Sequence, residues 1–255
     1  MKRRTFIALA FTYISSIARA RDTYQPTLER GRSFLAGLID PNIDLLPEFA
    51  GSNVYWLWHD NALAAKTLSI SHPDVSKRID GAIAREKIDK ADRKVDLLFG
   101  EKPDVLPFRH YELMDVRSIG KKQIRTEIPS DREMKGWASY ADLLFLATLA
   151  EKGTEKARAS WDLAMAMWDG VGFRDAAAKQ HRRYATYKLG IALLAANSLT
   201  PKPDIPPGLV GHLQKMQSAE GGWITDYRRD GTPVGKANVE TTCIAILGLE
   251  RHLRQ

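Results

Sequence analysis

The sequence contains a single cysteine, Cys243, among its 255 residues. An intramolecular disulfide is therefore excluded, and the stability of the fold must come from a packed core. Cys243 lies within an apolar helical run, which is typical of a buried small hydrophobic residue and not of a reactive thiol. With 44% hydrophobic residues, the chain is rich enough in apolar side chains to build such a core.

Several catalytic and metal-binding patterns are also missing. No serine stands in a nucleophile elbow, and the six histidines include no His-x-x-x-His pair. The segment 169–175 holds two acids and two glycines, but it lacks the acid spacing of an EF-hand calcium loop. No strand precedes it in the predicted pattern, so it does not match a phosphate-binding fingerprint either. The sequence therefore predicts no metal site and no cofactor.

A concentrated basic surface is absent as well. The formal charge of the chain is +7, and four of the basic residues fall within the first 20 positions. Taking these four from +7 leaves +3 for the rest of the chain, which is a weak basis for nucleic-acid binding. We expect no nucleic-acid partner.

The first 20 residues have the features of an export signal. A basic start is followed by a mostly apolar run over residues 5–18, which is too short to span a bilayer comfortably. Ala18 and Ala20 then form the small-x-small pattern that a signal peptidase cleaves. We predict a signal peptide over 1–20, cleavage after Ala20 and an extracytoplasmic mature chain. The alternative is an uncleaved N-terminal anchor, and no other membrane contact is expected.

The remainder, residues 21–255, is predicted to form a single domain, because no low-complexity tail or flexible linker interrupts it. Two segments with period-two alternation, 109–116 and 122–128, flank Gly120 and predict a β-hairpin at about 108–128. The other segments have helical periodicity and predict helices over 27–39, 55–68, 73–99, 137–152, 155–168, 183–197, 209–218 and 237–253.

Four of these helices carry similar apolar runs, over residues 61–68, 142–149, 188–195 and 242–249. A helix that is apolar on all sides is usually buried. The intervening helices carry more charge and have their apolar residues on one face. We therefore predict alternating inner and outer helices, with the inner helices parallel and their N-termini at one end.

Residues 206–250 carry a resemblance to known protein families. Leu213-Gln214, Gly221-Gly222-Trp223 and the segment 238–242 resemble the repeat of terpenoid cyclases and protein prenyltransferases. In outline they also resemble the α/α-toroid glycosidases and polysaccharide lyases. The resemblance implies an all-α fold, an α/α toroid that is closed or incomplete, with one inserted β-hairpin. The catalytic signatures of these families are missing: there is no Asp-rich ionisation motif, no Asp-x-Cys of a zinc site and no Cys-x-x-Gln of a thioester. Fold resemblance without the site does not transfer function.

The polar residues just before each apolar run predict a site. If the inner helices are parallel, these residues meet at one rim, together with acids from two loops. As catalytic residues we predict Glu240, which would protonate a leaving oxygen, and Asp60 or Asp142, which would act as base or nucleophile. The predicted ligand-binding residues are His59, Asn61, Tyr140, Asp169, Phe173, Asp175, Tyr184, Tyr187, Lys188, Trp223, Asp226, Tyr227 and Asn238.

Three functions remain open at this point. An acidic, aromatic-lined cavity outside the cytoplasm favours the hydrolysis or cleavage of a glycan. A non-catalytic toroid that binds a glycan or peptide is the second reading, in which the acids are ordinary helix caps. The third is an isoprenoid or lipid pocket. In each case the partner is a small molecule or glycan in a central cavity, and the oligomeric state is left open.

Overall fold

The computed structural model describes residues 24–52, 56–86, 94–101 and 108–254. The predicted signal segment, residues 1–20, lies outside these ranges. The described chain contains helices α1 (24–37), α2 (Trp58–Leu68), α3 (Pro73–Arg85), α4 (Lys94–Leu98), α5 (Ala141–Ala150), α6 (Glu155–Met165), α7 (Ala176–His181), α8 (Tyr187–Ser198), α9 (Leu209–Lys215) and α10 (Val239–Leu253). Its strands are β1 (Trp56–Leu57), β2 (Arg109–Ile119), β3 (Lys122–Glu133), β4 (Tyr184–Ala185), β5 (Ile224–Tyr227) and β6 (Pro233–Ala237).

The predicted all-α fold is wrong, because these strands form two three-stranded sheets in the orders β1-β3-β2 and β4-β5-β6. The α/α toroid that the family resemblance implied is wrong for the same reason: the fold is mixed, 50% helix and 19% strand. Strands β4 to β6 have two to five residues, too few to show an alternating pattern. Strand β4 pairs with β5, which is distant in the sequence, while β5 pairs with β6, the next strand along the chain.

The first sheet is built on a long hairpin. Strands β2 and β3 are antiparallel, with Ile119 opposite Lys122 and Gly120 between them at a positive φ of 61°. Glycine adopts this left-handed conformation without steric cost. Strand β1 pairs with β3 in parallel, and Trp56 faces Ile124 in the register. Both residues are buried, so the hairpin is anchored in the core near its turn. The strands extend beyond the predicted 108–128 as far as Glu133.

Four apolar helices occupy the core. Helix α10 packs against both α8 and α2, and α8 also packs against α5. The more charged helices α3 and α6 lie against α2 and α5. At the α8–α10 crossing the backbones nearly touch: a Cβ on Gly190 would lie 2.7 Å from the Ile244 carbonyl oxygen, and one on Gly248 would lie 2.6 Å from that of Gly190.

The second sheet joins the Gly-Gly-Trp turn to two of the core helices. Tyr184, just before α8, pairs with Tyr227, and Ile224 pairs with Ala237, just before α10. Trp223 is fully buried, and its indole Nε1 donates to the Leu213 carbonyl oxygen at 2.8 Å. This sheet therefore sets where helices α8 and α10 begin.

Among the residues described, no helix combines the length and apolar character that crossing a bilayer requires.

Candidate functional site

A cavity of about 270 Å³ lies where the first two turns of α2, α5, α8 and α10 meet. Helix α4 and strand β3 complete its wall. The described residues that line it are His59, Leu63, Val95, Leu98, Glu127, Asp142, Leu143, Leu146, Tyr187, Ile191, Glu240 and Ile244. One part of the lining is aliphatic and the other carries carboxyl, phenol and imidazole groups, so the cavity is amphipathic.

The second residue of each of the four core helices is ionisable. These positions hold His59, Asp142, Lys188 and Glu240. A helix N-terminus favours a negative side chain, which suits Asp142 and Glu240. A lysine at the same place is disfavoured, so Lys188 requires compensation from its surroundings.

Two carboxylates provide that compensation. Lys188 is buried, and its Nζ lies 3.0 Å from Asp142 Oδ1 while also pairing with Asp175 Oδ2. Burial opposes the charge on Lys188, but the attraction of Asp142 and Asp175 outweighs it, and its pKa lies above the ordinary value. Lys188 is therefore held as an ammonium ion beneath the cavity.

Asp142 is fixed from a second side by Tyr187. The Tyr187 hydroxyl donates to Asp142 Oδ2 at 2.8 Å. Burial, together with the charges of Asp142 and Glu240, raises the pKa of the Tyr187 phenol well above its ordinary value. Tyr187 therefore stays a hydrogen-bond donor to one carboxylate oxygen of Asp142, while the Lys188 ammonium forms an ion pair with the other.

Asp175 links this arrangement to the surrounding backbone. Its carboxylate caps α7 by accepting from Ala178 N at 2.9 Å, and it accepts from Ala141 N, at the start of α5, at 3.1 Å. Asp175 is buried and contacts Lys188 from behind. It therefore positions Lys188 and the first turn of α5, and it does not line the main cavity.

The predicted catalytic residue Asp60 takes a different place from Asp142 and Glu240. Asp60 is fully buried and is not among the described lining residues. Its Oδ1 lies 3.3 Å from Nε2 of His59, which does line the cavity. Asn61 bonds through its amide to the carbonyl oxygens of Leu46 and Leu57, so it ties two segments of backbone together.

The loop residues predicted to reach the rim form a separate polar cluster. Asp169 accepts from Val171 N and Gly172 N at 3.1 Å each and from the Tyr184 hydroxyl at 2.5 Å. Burial opposes ionisation of Asp169, but these hydrogen bonds outweigh it and lower its pKa. The Tyr227 hydroxyl donates to the Val171 carbonyl oxygen at 2.8 Å. The cluster thus closes the loop upon itself, away from the cavity.

The remaining predicted ligand-binding residues are also placed outside the cavity. Phe173 packs edge-on against Phe145 in the core, and Trp223 is buried in the Gly-Gly-Trp turn. Asn238 caps α10 by accepting from Thr241 N at 2.9 Å. Tyr140 lines a different groove, described below. Within the described residues, Tyr187 is the one aromatic side chain that lines the cavity, so the aromatic lining predicted from the sequence is not what this structure shows.

Asp226 lines another, smaller cavity of about 70 Å³, which Lys188 also lines. Burial raises the pKa of Asp226, and Arg183, 3.6 Å away, counteracts the effect in part. Lys188 therefore separates the small cavity from the large one, and Asp226 is not a neighbour of the acids in the large cavity.

Glu127 is the lining carboxyl that the sequence did not indicate. It lies on β3, beyond the point where that strand passes β1. The period-two pattern indicated the strand but not which of its faces meets the core.

In the ranges described, no group of three His, Cys, Asp or Glu side chains is arranged to hold a metal ion.

The comparisons with known proteins place the chain in no family: no protein-family model, no curated protein and no solved structure matches it.

Proposed function

We propose that the cavity binds the end of a carbohydrate and cleaves it by acid–base chemistry. The observation that carries this proposal is the meeting of Asp142, Tyr187 and Glu240, from three separate helices, at one cavity. These residues are about 45 or more positions apart in sequence, and each side chain alone is an ordinary first-turn residue. A helix-capping role alone does not require these three side chains to converge on one cavity.

In this proposal the two helix-borne carboxyls have different tasks. Cleavage of a glycosidic bond uses one carboxylic acid, which protonates the leaving oxygen, and one carboxylate, which acts as base or nucleophile. Asp142, held by the Lys188 ammonium and the Tyr187 hydroxyl, is suited to the carboxylate task. Glu240 takes the part of the acid, and Glu127 accepts hydrogen bonds from sugar hydroxyls.

The buried charges beneath the cavity support a functional role. Removing Lys188, Asp142 and Asp175 from water costs free energy that their mutual attraction only partly returns, so such a group is weak evidence for stability alone. Strongly shifted ionisable groups beside a cavity are typical of functional sites. Tyr187 has this character, because burial and the neighbouring carboxylates raise the pKa of its phenol well above the ordinary value.

A second function is favoured by the aliphatic part of the lining. Seven of the described lining residues are Leu, Ile or Val. Such a wall is suited to an amphipathic small molecule whose chain lies on these residues and whose polar head faces Asp142 and Glu240. In that case the protein binds a lipid-like ligand and the acids orient it.

The test is glycan binding followed by product analysis on three proteins: the wild type, Glu240→Gln and the control Glu155→Gln. Glu155 is a first-turn glutamate of the outer helix α6, away from the cavity. We expect Glu240→Gln to lower turnover by about 100-fold or more, because it removes the proton donor, while the melting temperature stays close to that of the wild type. Unchanged turnover in Glu240→Gln, or binding of fatty acids or isoprenoids with no binding of any glycan, contradicts carbohydrate cleavage.

A further inference from the structure

A second groove lies next to the candidate site, at the far end of the β2–β3 hairpin. It has a volume of about 1030 Å³, several times that of the helix cavity. The described residues that line it are His110, Arg132, Glu133, Met134, Lys135, Gly136, Trp137, Ala138 and Tyr140.

Trp137 is the central feature of this groove, and it is held rigidly. Its ring stacks on Phe108, with 4.3 Å between centroids and 20° between planes. The backbone around it is closed by hydrogen bonds from Met134 N to the Phe108 carbonyl oxygen at 2.8 Å and from Tyr140 N to that of Trp137 at 3.0 Å. Trp137 remains only half-buried. A large aromatic ring that is held in place and lines a groove is suited to stacking on a flat ligand surface.

Two continuous segments of chain run from the helix cavity to the groove. Strand β3 carries Glu127 at the cavity and Arg132 at the groove, which are five residues or roughly 17 Å apart along an extended chain. The short 3-10 helix Trp137–Ser139 runs through Tyr140 directly into α5, whose second residue is Asp142. A chain-like ligand that extends from the cavity along β3 over this distance would therefore reach the groove.

We propose that the groove binds the continuation of the carbohydrate chain whose end lies in the helix cavity. Trp137 stacks on one face of a sugar ring, while Lys135 and His110, both exposed, donate hydrogen bonds to its hydroxyls. This inference rests on the proposed function and narrows it: the substrate is an oligosaccharide or polysaccharide, and not a single sugar attached to an unrelated group.

The experiment uses an array of immobilised glycans that contains monosaccharides together with longer oligosaccharides of the same linkages. The full chain is compared with Trp137→Ala, Trp137→Phe and the control Ile70→Ala, which truncates a side chain that is 87% exposed in another part of the molecule. We expect the wild type to bind an oligosaccharide more tightly than its monosaccharide. Trp137→Ala should lower the affinity for the oligosaccharide by about tenfold. Trp137→Phe should lower it less, and Ile70→Ala should leave it unchanged.

The outcomes separate the two proposals. If no glycan binds, both are overturned. If oligosaccharides and monosaccharides bind equally, or if Trp137→Ala binds oligosaccharides like the wild type, the groove is not a subsite while carbohydrate binding in the cavity stands. Melting curves of each variant show whether a loss of affinity is a loss of fold, and a folded Trp137→Phe that loses as much affinity as Trp137→Ala also contradicts the stacking role.

Discussion

Lys188 is the residue on which the candidate site depends most. It is a buried cation at the N-terminal end of a helix, where both burial and the helix dipole oppose its charge. Asp142 and Asp175 offset these costs from opposite sides, so one lysine connects the cavity to the loop before α7. An uncharged residue at this position leaves two neighbouring carboxylates without their shared cation.

The first prediction is that Lys188→Met destabilises the protein by about 3 kcal/mol, because breaking a buried ion pair leaves uncompensated charge. The control is Lys179→Met, an exposed lysine of α7, which should change the free energy of unfolding by no more than about 0.5 kcal/mol. Urea denaturation of the three proteins measures both. Equal stability of the two variants would show that the Lys188 ion pairs contribute nothing net.

The same lysine predicts a pH dependence. The pKa of Lys188 is raised above its ordinary 10.5, so the folded state holds this proton more tightly than the unfolded state. Its contribution to stability is therefore complete below pH 10.5 and is lost as the pH rises through the folded-state pKa. The difference in unfolding free energy between the wild type and Lys188→Met should stay level from neutral pH to about pH 10 and shrink above it. A difference that instead grows above pH 10 contradicts this assignment.

At the scale of elements, the close crossing of α8 and α10 brings two cavity residues, Tyr187 and Glu240, onto one wall. The crossing depends on Gly190 and Gly248, whose missing side chains let the two backbones approach. Larger residues would force the helices apart, and the first turns of both helices would move with them. The geometry of the cavity is thus coupled to two glycines that do not line it.

We therefore predict that Gly190→Ala and Gly248→Ala each destabilise the protein by about 1–3 kcal/mol, because the added methyl group meets the backbone of the opposite helix. Gly81 in α3 is the matched control, since the Cβ it would gain meets no atom within 4 Å apart from its chain neighbours and its own helix backbone. Gly81→Ala should stabilise by about 0.5–1 kcal/mol, because alanine loses less backbone entropy on folding. Thermal unfolding measures all three, and a neutral Gly190→Ala would mean that the crossing relaxes without cost.

At the scale of the whole molecule, the core helices place the acids, and the two sheets place the helices. The first sheet brings Glu127 to the cavity and carries the Trp137 groove, while the second sets the starts of α8 and α10. A purely helical ring would have neither of these walls. The site is therefore a product of the mixed fold.

Export is a whole-molecule prediction that stays open. The basic start, the apolar run and the Ala18-x-Ala20 pattern predict a mature N-terminus at Arg21. Expression with the full leader, followed by mass spectrometry of the exported protein, measures the N-terminal residue directly. A protein that retains Met1 and stays in the membrane fraction would favour the anchor instead.

The sequence by itself determined the helices of the core. Apolar runs over 61–68, 142–149, 188–195 and 242–249 predict buried helices, because a helix apolar on all sides has no solvent-facing surface. These runs lie within α2, α5, α8 and α10. The hairpin was also visible, because two long strands alternate around Gly120. Polar residues at the helix starts indicated which side chains were candidates for a site.

Only the tertiary structure decided the fold class and the membership of the site. Strands β1, β4, β5 and β6 are two to five residues long, too short to show an alternating period, and β1 and β4 pair with segments that are distant in the sequence. Likewise, the local sequence around a first-turn carboxylate does not show whether the side chain faces a cavity, as that of Asp142 does, or the interior, as that of Asp60 does. The direction in which each helix turns its second residue is set by packing against its neighbours, and that packing is not encoded in any short segment.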